Sequence, residues 1–260
     1  MFHELSHRRA VRPGTTLFAL ITLLAAAGCS GLTRSVWPAA APAPQWRSAP
    51  SGPPSAPRPG QVLATPLRGR TGASLTVRDA ASRVDVRLVD LPGLLYRIST
   101  PAESGLAPQV TGEPGRVCLG LRPTGGDGPD TVRIALNRTV DWDVRLPAGA
   151  GEQHLDLTGG RVRRVLAGPA GLLDLRLPRP RGTVPVTLTG GVATITVRAA
   201  AAVPVRVRLR GGAGRVTTPH GVHHDSPAGS VLTPAGWASA ADRYAVDLRA
   251  PAGTLTLVSG

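Results

Sequence analysis

Within the nine residues PHGVHHDSP (219–227), His220, His223, His224 and Asp225 bring three imidazoles and a carboxylate together. These are the donor types that zinc and related divalent ions take. Four polar residues in one loop do not by themselves fix a tetrahedron, so they are weak metal candidates. Read without a metal, the segment is a solvated loop between GGAGRV (211–216) and the last strands. Apart from these, His154 is the only histidine after residue 28.

Other reactive constellations are thin. The chain has no G-x-S-x-G, no H-E-x-x-H and no C-x-x-C. Ser226 lies beside His224 and Asp225, but adjacency in sequence is not triad geometry. Asp141, Asp143 and Glu152 are the nearest thing to a carboxylate cluster, and they read as solvated. GGDG (125–128) reads as a hairpin turn rather than a phosphate loop, because no helical pattern follows it. The expectation is a protein without catalytic residues or cofactor.

Arginine is the remaining candidate chemistry. Arg206, Arg208 and Arg210 alternate along one strand face, and Arg161, Arg163 and Arg164 form a second basic group. Guanidinium groups in such stripes can hold phosphate or sulfate by charge-assisted hydrogen bonds, which makes the first stripe a weak anion-binding candidate. All 30 basic residues are Arg, set against 16 Asp and Glu, for a net charge of +14. Enrichment in Ala, Gly and Pro accompanies them, as GC-rich coding would produce, so the charge excess has a source besides a polyanionic partner. Aromatic residues make up 3%, too few for base-stacking platforms.

The N-terminus reads as an address. Arg8, Arg9 and Arg12 precede the apolar run TTLFALITLLAAA (15–27), which is shorter than the roughly 20 residues of a membrane span. Small residues then lead into Cys29, an ending that resembles the lipobox of bacterial lipoproteins. That resemblance implies cleavage after residue 28 and a diacylglycerol thioether on Cys29. The chain would then be held by lipid to the outer face of the cell membrane without spanning it. Export of this kind removes nucleic acid as a partner. It leaves the membrane itself, anionic envelope polymers and membrane proteins.

Residues 29–60 form a Pro/Ala/Ser-rich tether that contains Trp37 and Trp46 and has no means of building a core. Residues 61–260 alternate apolar and polar positions between Gly and Pro punctuation, the period of β-strands. Cys118, without an intramolecular partner, reads as a small strand residue sharing a face with Gly120 and Arg122.

The strands repeat. VDVRL (84–88), WDVRL (142–146), LDLRL (173–177) and VDLRA (246–250) share one form, with apolar residues to one side and Asp and Arg to the other. Two longer segments, 144–160 and 175–191, lie 31 positions apart and both end in Leu-Thr-Gly-Gly. Such repetition predicts stacked strands with Asp–Arg ladders outside and Gly-Gly corners (159–160, 190–191, 211–212) at positive φ. The fold class expected is all-β, a stacked β-repeat of β-solenoid type, clearest over 139–260. The alternative is a β-sandwich.

WDVRLPAGAGEQHLDLTGG, VPVTLTGGVATITV and RYAVDLRAPAGTLTL resemble the toast-rack, adhesin-like domain of bacterial envelope proteins. The likeness extends to the C-terminal domain of cell-wall-stress response proteins. It covers residues 140–260 well and 61–139 loosely, and it brings no catalytic residues. It implies a non-enzymatic surface protein that binds or scaffolds at the envelope, or an accessory or sensor subunit of a membrane stress-signalling system. A metal-dependent enzyme built on the 220–225 segment is the remaining alternative.

Overall fold

The computed structural model describes residues 58–259; residues 1–57, with Cys29, Trp37 and Trp46, lie outside them. The described residues form nineteen strands and no helix, in one ten-stranded and one nine-stranded sheet.

The chain alternates between the two sheets. In the nine-stranded sheet lie β2 (Gly72–Val77), β6 (Arg116–Pro123), β8 (Asp141–Leu146), β10 (Arg161–Ala167), β12 (Thr183–Leu188), β14 (Val205–Leu209) and β18 (Arg243–Leu248). Each is followed by its mate in the ten-stranded sheet: β3 (Ala81–Val89), β7 (Thr131–Asn137), β9 (Ala150–Asp156), β11 (Ala170–Arg176), β13 (Val192–Ala199), β15 (Ala213–Thr218) and β19 (Ala252–Ser259). Every such pair is one coil. The coils stack in the order β6/β7, β2/β3, β8/β9, β10/β11, β12/β13, β18/β19, β14/β15, and all neighbours are parallel. Parallel neighbours need a crossover. Here the crossover is the mate strand in the opposite sheet, which defines a two-sided β-solenoid and separates it from an antiparallel sandwich.

Neither end stacks in chain order. The coil β2/β3 sits one place in from one end, and β18/β19 one place in from the other. Antiparallel strands then cover the outermost coils. At one end β4 (Leu94–Ser99) pairs with β7, β1 (Val62–Pro66) pairs with β4, and β5 (Leu106–Thr111) pairs with β6. At the other, β16 (Gly221–Ser226) pairs with β15 and β17 (Ser230–Leu232) with β14. β1 and β5 each contain a proline, and β17 is three residues long. Both devices blunt a sheet edge against further pairing.

Alternation in sequence becomes inside and outside in space. Val84, Val86 and Leu88, then Leu173, Leu175 and Leu177, are buried, as are Trp142, Val144, Leu146, Val246 and Leu248. Stacked columns of this kind form one continuous core. Trp142 is fully buried, and its Nε1 donates to the Asn137 carbonyl at 2.9 Å. Asn137 is buried as well, and its Nδ2 donates to the carbonyls of Leu91 and Leu94. One polar residue interrupts the column Val84, Gln153, Leu173, Ile195. The Gln153 amide nitrogen donates to the Pro169 carbonyl at 3.2 Å, tying the inner face of β9 to the corner before β11.

Four expectations need correction. VDVRL and LDLRL lie in the ten-stranded sheet, whereas WDVRL and VDLRA lie in the nine-stranded one. The 31-residue repeat therefore matches a turn leaving one sheet to a turn leaving the other. The coil itself repeats at 20 and 22 residues, from Ala150 to Ala170 to Val192. Next, GGDG (125–128) is not a hairpin turn, because its segment carries the chain from β6 across to β7 in the opposite sheet. Third, of the Gly-Gly corners only Gly212 has positive φ. Gly159, Gly160, Gly190 and Gly211 are glycine for closeness, Gly191 having only an ordinary contact: a Cβ on Gly159 would lie 2.4 Å from the Leu88 carbonyl oxygen, and one on Gly190 2.5 Å from the Pro169 ring. Coils about 4.8 Å apart leave no room for side chains at those corners. Fourth, the segment read as a loop at 219–227 contains the edge strand β16.

Candidate binding surfaces

β16 separates its own polar residues. Successive side chains of an extended strand point to opposite faces, so His223 and His224 diverge. His224 lies opposite Arg215 and His223 opposite Val216 in the register with β15. His220 precedes the strand in its turn, and Asp225 has φ +48°. Among the described residues no three His, Cys, Asp or Glu side chains come together as metal ligands.

His220 and His223 instead line a cleft of about 690 Å³ between the edges of the two sheets at the β14–β17 end. Its apolar wall includes Val205, Leu232, Leu257 and Val258. Val231 and Val258 line it and are exposed, two of the four large apolar side chains the described surface leaves in water. The strand pattern did not reveal this cleft, because it arises where the last coil's sheets part.

The stripe Arg206, Arg208 and Arg210 is largely committed within the protein. Arg206 stacks over the Trp237 ring at 3.8 Å, and Arg243 stacks on the same ring at 4.3 Å. Trp237, in a turn after β17, donates its Nε1 to the Tyr244 carbonyl. Tyr244 is buried in turn, its hydroxyl donating to the Pro178 carbonyl, and burial pushes that phenol well above its usual range. Arg210 donates to Asp247 at 2.8 Å, and Arg249 reaches the other Asp247 oxygen. Arg208 is exposed and makes no ion pair with a described residue.

Asp247 carries a pH signature. Burial alone would raise its pKa, but the hydrogen bonds and charges of Arg210 and then Arg249 outweigh burial and hold the carboxyl below its ordinary value. A carboxylate depressed on folding contributes stability that is complete above its unfolded pKa, about 3.9, and is lost as pH falls through the folded value. The melting temperature of the wild type should therefore fall more steeply below about pH 4 than that of Asp247→Asn. Equal slopes in the two acid limbs would show that the Arg210–Asp247 pair has no folded-state preference.

Elsewhere the outer faces carry ion pairs, half of them within one strand and half between segments distant in sequence. Arg83 reaches Asp85 two residues on and Glu152 on the next strand. Arg145 pairs with Asp143 within β8, at 2.6 Å. Asp174 takes Arg176 from its own strand and Arg198 from the adjacent one. Thr194 and Thr196 stand beside Thr254 and Thr256 as an outward ladder. In the second basic group, Arg161 pairs with Asp141, while Arg163 falls at a register shift. Asp141 and Asp143 lie in one sheet and Glu152 in the other, so these three carboxylates face no common cleft. Cys118 is a partly buried strand residue between the inward Val117 and Leu119.

No family model and no curated protein matches the chain. A crystal structure from Clostridium sporogenes, described as a "putative cell adhesion protein", matches with a TM-score of 0.62 at 15% identity, over 78% of this chain and 100% of that one. A "putative adhesin" from Bacteroides fragilis matches with a TM-score of 0.24 at 9% identity, over 76% of this chain and 97% of that one, and carries no weight here. The first likeness establishes the fold.

Proposed function

We propose that the chain is a non-enzymatic, lipid-anchored protein of the bacterial cell surface that binds or scaffolds envelope components. The observation that carries this reading is a single stacked scaffold with ion-paired outer faces and capped ends. The fold it shares with a structure named for cell adhesion agrees with a surface role. The described chain enters at Arg58, bonded to Glu103, beside the β1 end, and the apolar cleft lies at the β14–β17 end.

Two experiments test the reading. Cys29→Ser should leave the chain unacylated and shift it out of the membrane fraction; an acylated, membrane-bound variant would end the lipoprotein assignment. Capture of envelope components by the protein at low and high salt tests the surface role. Anionic polymers held at low salt and released at high salt are the expected result. The apolar cleft favours a second reading, an accessory subunit of a membrane signalling protein, and one membrane protein retained at high salt would select it.

A further inference from the structure

Of the seven arginines on the strands of the ten-stranded sheet, Arg83, Arg176 and Arg198 meet a carboxylate; of the four that do not, three stand together at the β1 end. Arg97 on β4, Arg133 on β7 and Arg87 on β3 are all exposed, and none makes an ion pair or side-chain hydrogen bond with a described residue. They surround a groove of about 240 Å³. The register explains its shape. Arg97 and Arg87 lie on either side of Ala135, whose methyl leaves a slot between the two long side chains. Arg133, two residues earlier on the same strand as Ala135, closes one end of that slot, with Ser99 and Asp85 beside it. Asp85 is turned to Arg83, whose Nε donates to both its oxygens, so one carboxylate lines the slot against three guanidinium groups. Asp156, next to Arg87 in register, accepts instead from the Thr158 backbone and hydroxyl.

Three guanidinium groups around a small floor, outnumbering the one carboxylate that lines it and forming no ion pair with it, are donors suited to a tetrahedral oxyanion. We propose that this slot takes a phosphate group carried on a polyanionic chain. A free ion gains little at so exposed a site, where salt screens each contact. A chain polymer gains more. The same row of the sheet continues from Arg87 through Asp156 to Arg176 and Arg198, so two further guanidinium groups, which share Asp174, follow at roughly 10 and 14 Å from Arg87 along the stacking axis. Linked contacts of this kind add by effective concentration. The proposal rests on the polyanion-binding reading above and moves its centre from Arg206–Arg210 to the opposite end and the other sheet.

The test titrates the full-length chain in detergent with inorganic phosphate, with long-chain polyphosphate and with vesicles of anionic phospholipid. It compares wild type with R87Q/R97Q/R133Q and with R206Q/R208Q/R210Q, all three checked for equal melting temperature. Polyphosphate should bind wild type at low salt, more tightly than inorganic phosphate, and R87Q/R97Q/R133Q should weaken it about tenfold. If that variant binds polyphosphate like wild type while R206Q/R208Q/R210Q loses it, the slot is wrong and the polyanion reading stands. Should the vesicles bind through the same three arginines more tightly than polyphosphate, a lipid headgroup replaces the polymer. If wild type binds no polyphosphate at low salt, the polyanion reading fails, and the proposal fails with it.

Discussion

Trp142→Ala should lower folding stability by about 3–5 kcal/mol, the range for deleting a fully buried aromatic side chain. Trp142 is the largest fully buried side chain in the core and sits in β8, near the middle of the stack. Its removal leaves a void between two sheets whose corners are already in backbone contact, so collapse is poor. It also strips the Asn137 carbonyl of its indole donor. The melting temperature should fall by roughly 10 °C, given 2–4 °C per kcal/mol for a domain of this size. Trp142→Phe keeps most of the volume but still loses the donor, and should cost less than the alanine variant. A Trp142→Ala protein within about 0.5 kcal/mol of wild type would mean that the ring does not fill the core as described.

Gly149→Ala should be the most damaging of the small substitutions. Gly149 ends the turn between β8 and β9 with φ +78°, and an added Cβ would lie 2.1 Å from the Pro169 carbonyl oxygen. That oxygen accepts from the Ala150 amide, so the clash falls on a bond joining adjacent coils. The conformational part alone costs about 1–2 kcal/mol. Gly125 supplies the control: its φ is +70°, but nothing lies within 4 Å of the point where a Cβ would stand. Gly125→Ala should therefore cost only the conformational part, and Gly149→Ala clearly more, measured by denaturant unfolding of both. Equal losses would show that coil spacing is not what makes residue 149 glycine.

The candidate surfaces were legible to different depths. Arg206, Arg208 and Arg210 could be read as a stripe because they alternate within one strand. Their partners could not, since Trp237 and Asp247 come from elsewhere in the chain. Arg87, Arg97 and Arg133 gave no local signal at all, because they stand on three strands that only the register brings together. The histidine segment misled in the other direction. Closeness in sequence suggested a cluster, and the extended backbone of β16 pulled it apart. A better clue to the coil was also present: Ala-Gly at 150–151, 170–171, 213–214 and 252–253 opens four strands of the ten-stranded sheet. The alanines fall in one column with Ala81 and Val192, and 150 to 170 gives the coil length directly.

What the sequence determined by itself is the strand and its two faces. A period of two decides locally which side chains are apolar, so Val84, Trp142 and Leu173 could be placed inside before any partner was known. The order and direction of the strands belonged to the tertiary structure alone. Alternation with one wet face commonly accompanies antiparallel sheets, and nothing within a ten-residue segment records that its neighbour comes from a parallel coil 20 residues away. The same holds for the ends. Placing β18/β19 inside β14/β15, and β2/β3 inside β6/β7, depends on which edge remains unpaired once the rest has stacked. That choice is made by long-range hydrogen bonding and burial, which act between segments rather than within them.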